Sequence, residues 1–241
     1  MAAPTYIGLA DALEAELRRL APGTRLPAEA ELAKTWRVNR LTARAAMQEL
    51  EQRHLIRRRH GSGTFVARRI DYVIGPQMPP SWSHAIRQAG ARPRSETMSL
   101  RTISASAEVR RELALPAGAR VVRIARRRYV DDDLAAYAVT HIAADLVPGF
   151  ADRMTGKESL LAVLASYDLR PHRAWSQVEL EVCPADVAEA LGLRGRRQLL
   201  FSAGRTDSAP LRRPVEHTST WMLPDVFRLV FAITDQPNPE E

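Results

Sequence analysis

The sequence predicts an α+β protein in two parts. A winged helix-turn-helix spans residues 1–67, and a larger domain on a mostly antiparallel sheet spans 85–235, with a connector at 68–84. Three observations predict this. Between Gly23 and Val66, two short helical patterns flank a tight turn, and an apolar step, a basic run and a Gly-Ser-Gly hairpin follow. In the second half an apolar motif recurs at an offset of 78 residues. Between them lies a Pro- and Gly-containing stretch without helical periodicity.

Ile7, Ala10, Leu13, Leu17 and Leu20 recur at helical spacing and define a first amphipathic helix, ended by Pro22-Gly23. A second helix starts after Pro27, with Glu29 and Glu31 in the first turn, where the dipole favours acid, and Leu32, Ala33 and Trp36 as its buried face. Arg37-Val38-Asn39 is the turn, and Asn39 is a good N-cap for a third helix over about 40–53. Ala43, Ala46, Met47 and Leu50 form its buried stripe, which leaves Arg40, Arg44 and Gln48 on another face, with Thr42 beside them. Leu55 to Arg59 begins a strand, His60-Gly61-Ser62-Gly63 turns it, and Thr64-Phe65-Val66 returns.

In the second half, Ala107-x-Val109-x-x-x-Leu113-x-Leu115 is matched by Ala185-x-Val187-x-x-x-Leu191-x-Leu193. An apolar strand follows each copy, Val121–Ile124 and Leu199–Phe201, and each reads as helix, turn, strand and hairpin partner. Asp131-Asp132-Asp133 turns the first hairpin, and Ala209-Pro210-Leu211 lies near the turn of the second. Ser159 to Leu164 gives one more helix between the halves. Two such halves make an α+β domain, and a cleft between them is a natural small-molecule site. In the connector, Tyr72 and Trp82 are expected to dock on one domain.

Composition is that of an ordinary globular protein, 45% hydrophobic and 26% charged. No apolar run approaches bilayer-spanning length and no leader pattern opens the chain, so a cytoplasmic protein without membrane association is expected. The single cysteine, Cys183, excludes an internal disulfide and a multi-Cys metal site, and reads as a small strand residue. Of the net charge of +7, residues 1–69 carry +6, from 13 Arg/Lys against 7 Asp/Glu. A basic patch on the helix-turn-helix segment releases counterions from phosphates and supplies affinity for double-stranded DNA.

Arginines and short residues at the front of the second helix of such a pair reach base edges in the major groove, arginine pairing with guanine and Thr meeting a thymine methyl. Arg40, Arg44 and Thr42 hold those places; the competing reading is a solvated face. The wing glycines let backbone approach phosphate, and His60 either contacts DNA or is solvated. In the second half, strand alternation puts Val122, Ile124, Arg126 and Arg128 on one face. Two guanidiniums beside an apolar face are costly unless an anion meets them, and phosphate, phosphonate or carboxylate fits the arginine fork. The alternatives are an exposed strand end or pairing with Glu179 or Glu181. Asp131 to Asp133 reads as a solvated turn rather than a metal site, and no cofactor is expected.

With these residues in hand, the chain resembles the GntR family of bacterial transcription regulators, in its HutC branch. The resemblance rests on GTRLPAEAELA, VNRLTARAAMQEL and LIRRRHGSGTFV in the first part, and on AEVRRELALPAGARVVRIARRRYV, ADLVPGF and RPVEHTS in the second. VNRLTARAA, RRIDY and QAGARPRSE are most similar to repressors of phosphonate-metabolism operons. The resemblance implies an effector domain, the UTRA type, related in fold to chorismate lyase. It places Asn39, Arg40, Thr42 and Arg44 on the recognition helix and Gly61 at the wing tip. Ala30 stands where the family usually has a DNA-contacting Arg, and Ala28 where it has a capping Ser. By the same resemblance Arg126, Arg128, Ser159 and Ser95 match positions that hold phosphate in sugar-phosphate-sensing relatives, and Glu216 matches one of two sugar-contacting glutamates. The other aligns with Ala138, which argues against an amino sugar and fits a smaller anion.

The expected function is a homodimeric, ligand-responsive repressor that reads an inverted-repeat operator, since twofold protein symmetry calls for a palindromic site. An anion at Arg126 and Arg128 would reposition the connectors and change half-site spacing. Two rivals remain at this level: a lyase-like enzyme on the second domain's fold, and a non-specific DNA-binding protein.

Overall fold

A computed structural model describes residues 5–59, 61–75, 78–79, 81–154 and 159–233. The chain divides into two compact units, Met1–Ile70 with Pro224–Phe227, and Asp71–Leu223 with Arg228–Glu241.

In the first unit, helices α1 (Tyr6–Leu17), α2 (Glu29–Thr35) and α3 (Arg40–Gln52) precede a hairpin of β1 (Ile56–Arg59) and β2 (Gly63–Val66). The buried stripe of α1 is Leu9, Ala10, Leu13 and Leu17. Ile7 and Leu20, expected in that stripe, are exposed. The helix ends at Leu17, so Leu20 never joins the helical face. The stripe of α3 is Ala43, Ala46, Met47 and Leu50, as its spacing predicts, and it packs with α1, Leu32, Ile56 and Val66 into one core. Trp36 lies at the C-cap of α2, only partly buried against that core.

Arg53, at the C-cap of α3, reaches Asp11 at 2.6 Å, Glu14 at 3.0 Å and Glu49 at 2.9 Å, tying α1 to α3 and holding its own proton more firmly than a free guanidinium. The loss of a capping side chain at Ala28 is partly offset, because the Glu31 carboxylate accepts from the Ala28 N–H at 3.0 Å.

Asn39 adopts extended backbone and its Oδ1 accepts from the Thr42 N–H at 2.7 Å. This bond fixes where α3 begins, and so which residues stand at its front. Asn39→Ala should destabilise the first unit by about 1 kcal/mol, read in urea melts, with Asn39→Ser recovering most of the loss.

The hairpin gains a third, irregular rung. Leu26 N–H donates to Thr64 O at 2.8 Å and Val66 N–H to Thr24 O at 2.8 Å, so residues 23–26 run alongside β2. Gly63 has φ +117°, and a Cβ there would lie 3.0 Å from Arg25 Nε. Only glycine fits both demands.

In the second unit, β3 (Ile70–Ile74), whose first residue lies in the first unit, is followed by α4 (Trp82–Gln88), β4 (Pro93–Ser104), α5 (Ala107–Glu112), β5 (Arg120–Val130) and β6 (Asp133–Ala143). Then come α6 (Phe150–Arg153), α7 (Leu160–Ala165), β7 (Pro171–Val182), α8 (Ala185–Leu191), β8 (Gln198–Ser208), β9 (Arg213–Met222) and β10 (Phe227–Phe231), whose first residue also belongs to the first unit. The segment 68–84, expected as an irregular connector, thus holds a strand and the start of a helix; β3 pairs with β10, a partner far along the chain that local pattern does not reveal.

The main sheet is six-stranded and antiparallel, in the order β4-β5-β6-β9-β8-β7. The internal repeat is its organising principle. The strands β4 and β7, β5 and β8, and the starts of α5 and α8, all match at the same offset of 78. The halves meet at β6 and β9, where Thr140 pairs with Thr218, 78 residues on, their hydroxyls 2.8 Å apart. Residues at that rung face their own counterparts, so a pseudo-twofold axis passes through it. The hairpin turns fall where the sequence predicts, at Asp131-Asp132 and at Ala209 to Arg212.

One sheet face carries α6 and α7: Phe150, Leu160, Val163 and Leu164 pack on Val122, Ile124, Ile142 and Val215. The other carries α5, through Val109 and Leu113 on Val121, and α8, whose Ala190 carbonyl accepts from Arg127 Nε at 2.5 Å.

Candidate effector site and nucleic-acid interface

The front of α3 in the first unit presents Arg40 and Arg44, both exposed, with Thr42 half-buried between them. Among the described residues neither arginine has an ion-pair or hydrogen-bond partner. Leu41 beside them is 76% exposed, a large apolar side chain left in water at the N-terminus of the helix. Asn39, by contrast, spends its side-chain oxygen on the cap. Gly61 sits in the hairpin turn with φ +72°; His60 lies outside the described residues.

Arg25, to which the sequence alone assigns no role, shares an open concavity with Arg40, Gly63, Thr64 and residues 26–31, including Ala28 and Ala30. Its place against the hairpin brings a further guanidinium to the side of the unit where Ala30 supplies none. Arg58 is held by Glu29 at 3.2 Å and Glu51 at 3.1 Å, so the basic run is partly spent inside the unit.

In the second unit, one face of the sheet leaves a cavity beyond the apolar core, its water-reachable volume about 80 Å³. Val122 and Ile124 lie in that core, and Arg126 and Arg128 continue the same face into the cavity wall. Both arginines are buried, at 4% and 7% exposure, and the Nε of each has no hydrogen-bond partner. Arg128 lies 5.2 Å over the Trp82 ring, which contacts Tyr72, and both aromatics line the same cavity. The expected docking of Tyr72 and Trp82 is therefore onto this site.

Burial pushes the Arg126 pKa down to about 9, with the like charge of Arg128 adding to the shift and Glu216 opposing it; burial lowers Arg128 as well. Desolvation is the largest cause of both shifts, and the charge of Glu216 offsets it only in part.

Glu216 lines the cavity, and its Oε1 accepts from the Thr218 hydroxyl at 2.6 Å. Ser95 lines it too, opposite Arg128 in the β4–β5 ladder. Ser159 is placed differently. It is the N-cap of α7, its hydroxyl accepting from the Ala162 N–H at 3.2 Å, and it is the next residue, Leu160, that reaches the cavity. Glu179 and Glu181 do not pair with the arginines. Glu179 is exposed, and Glu181 accepts from Trp221 Nε1 at 3.0 Å.

The cavity also takes Arg173, Ser202, Arg205, Thr206 and Thr220. None belongs to a motif, yet the repeat points to two of them, since Arg173 is the counterpart of Ser95 and Thr206 of Arg128. Arg205 is held in a two-point pair with Asp207, at 2.9 and 3.1 Å.

On the opposite sheet face, His141 pairs with His217 across the seam. Burial holds His141 down to about 4, helped by Arg123 and His217, and burial lowers His217 too. The folded state then binds fewer protons than the unfolded state between pH 6.5 and 4. Stability present above pH 6.5 is lost as pH falls through that window. Thermal melts from pH 7 to 4.5 should show a shallower fall for His141→Gln.

Asp131 and Asp132 meet Arg92 at the hairpin turn, the Arg92 N–H donating to Asp131 at 3.0 Å and its side chain reaching Asp132 at 3.3 Å. Among the described residues no cluster of His, Cys, Asp and Glu has the arrangement of a metal site. No helix among them is long and apolar enough to cross a membrane.

Comparison with known proteins matches this division. The UTRA domain family matches residues 88–228, and the gntR family of bacterial regulatory proteins matches residues 5–66. The HTH-type transcriptional regulator GgaR of Escherichia coli is 26% identical over 229 residues, covering 94% of this chain and 90% of that protein. The probable transcriptional regulator PhnF of E. coli is 34% identical over 143 residues, 58% of each chain. The crystal structure of PhnF from Mycobacterium smegmatis shares the fold, with a TM-score of 0.66 at 21% identity over 95% of this chain and all of that one. A gntR-type head at residues 5–66 followed by a UTRA domain at 88–228 is the order the two family matches give. The chain belongs to the UTRA-domain family, in the form that carries a gntR-type head, and is a ligand-responsive, DNA-binding transcription regulator.

Proposed function

We propose that this protein is a homodimeric repressor whose hold on an inverted-repeat operator is set by a small anion bound at Arg126 and Arg128. The observation that supports this most is the pair of buried guanidiniums, each with an Nε that has no partner. A buried cation without a counter-charge costs several kcal/mol, and proteins keep such groups where a ligand supplies the charge. Phosphate, phosphonate, a sugar phosphate or a carboxylate fits the planar fork. Resemblance of the recognition helix to repressors of phosphonate operons favours a phosphonate. Ser95 and Glu216 complete the ligand shell in this reading, and Ser159 acts through the start of α7.

Arg40, Thr42 and Arg44 read bases, while Asn39, Gly61 and Arg25 position the head on the backbone. The two sites are coupled reciprocally, so operator DNA weakens anion binding as much as anion weakens DNA binding. The cavity binds its ligand rather than transforming it.

The test is selection of DNA sites from a random pool, followed by anisotropy titrations with and without methylphosphonate or phosphate. A palindromic site bound by two protomers, with binding weakened at least tenfold by anion, is expected. Binding without sequence preference would sink the repressor reading. An ultraviolet assay showing chorismate turnover would overturn the non-catalytic one.

A further inference from the structure

The anion site has a second half. In the β4–β5 ladder Ser95 stands opposite Arg128. In the β7–β8 ladder Arg173 stands opposite Thr206. These two rungs are related by the internal repeat: Ser95 corresponds to Arg173 and Arg128 to Thr206 at the same offset that joins Thr140 to Thr218. Each half thus sets one arginine against one hydroxyl at the same rung, with the two residue types exchanged between strands. All four side chains line the one cavity.

Arg173 is not absorbed by the protein. One terminal nitrogen donates to Ser176 Oγ at 2.9 Å, but its Nε is buried without a partner, as are those of Arg126 and Arg128. Arg205 differs: it stands opposite His217 in the ladder and its guanidinium is held by Asp207 at two points. The counterpart of Arg126 in the second half is Gly204, which has no side chain, so the second half offers one guanidinium where the first offers two.

Charge points the same way. With Arg205 matched by Asp207, the lining retains Arg126, Arg128 and Arg173 against the single carboxylate of Glu216. That leaves a surplus of two positive charges, drawn from both halves of the repeat.

We infer that the cavity holds two anion subsites related by the pseudo-twofold axis, and that the effector is a small compound with an acid at each end. The stronger acid group, a phosphonate or phosphate, sits on Arg126, Arg128 and Ser95; a second acid, a carboxylate, sits on Arg173 and Thr206. This rests on the anion reading of Arg126 and Arg128 and extends it across the seam.

The experiment is calorimetric titration of the full chain with four probes: methylphosphonate, 2-aminoethylphosphonate, phosphonoacetate and 3-phosphonopropionate. At least one of the two carboxylated probes should bind tenfold or more tightly than methylphosphonate, because a charge-assisted hydrogen bond to a desolvated arginine is gained. 2-Aminoethylphosphonate should bind more weakly than methylphosphonate. In Arg173→Gln the ratio of carboxylated to methyl probe should fall to about one, and Arg173→Lys should restore part of it; circular dichroism checks that both variants fold.

If methylphosphonate binds but neither carboxylated probe gains over it, or if Arg173→Gln leaves the ratio intact, the second subsite is refuted while the first stands. If no probe binds the parent protein, the anion reading itself falls and this inference with it.

Discussion

Arg126→Met will leave the ligand-free protein at least as stable as the parent, and more stable by about 1–4 kcal/mol if the site cannot relax around the charge. Methionine has the length to cover the same wall without the desolvation that drives the Arg126 pKa down to about 9. The same variant will lose its response to anion. The parent protein at a hundredfold excess of phosphonate over its dissociation constant gains about 2.7 kcal/mol by mass action; the variant gains none, and its operator complex no longer dissociates on adding the probe. Thermal shift with and without methylphosphonate, together with anisotropy on operator DNA, reads both effects. A variant that melts well below the parent would mean that Arg126 is paired inside the protein, and would remove the main support for an anion site.

Arg44→Ala will weaken operator binding by about 1–3 kcal/mol, concentrated at one base pair of each half-site. The structure leaves Arg44 exposed, one turn beyond Arg40 and outside the buried stripe of α3. Competition against a set of single-base operator variants separates the two kinds of contact. A base contact loses discrimination at one position and tolerates the other bases there. A phosphate contact loses affinity equally on every sequence and lowers the salt dependence. Arg25→Ala, at the base of the wing, should behave in the second way.

The head was legible in the sequence because its information is local. The Ala43, Ala46, Met47 and Leu50 stripe, the Asn39 cap and the Gly61 and Gly63 turn are each specified within a few residues, and each element forms where its residues say. α1 shows the limit: Ile7 and Leu20 fit the period, yet the helix stops at Leu17 and the core lies on the side of Leu9. Periodicity tells which residues share a face, not how far the helix runs.

The second unit was legible through its repeat, which places both hairpins and both short helices. What the pattern misses is non-local. β3 is a strand only because β10, more than 150 residues later, lies beside it. Arg126 and Arg128 stand out as a run of basic residues on an apolar face, while Arg173 is a single arginine in an edge strand with no such run around it. Its partners in the cavity come from strands brought together by the fold. Ser159 shows the converse: a residue matched by resemblance is at the right helix, but its hydroxyl is committed to starting that helix, and the cavity wall is made by Leu160.

The hydroxyl pair at the seam, Thr140 with Thr218, has a direction although the backbone around it has twofold likeness. Thr218 gives its one proton to Glu216, so it can only receive from Thr140. The chain of protons therefore runs one way, from the first copy of the repeat into the second, and ends on a carboxylate whose counterpart in the first copy is Ala138. The repeat holds two equal threonines; one acidic side chain makes them unequal. The first donates to its twin, while the second draws on the negative charge that Glu216 shows to whatever enters.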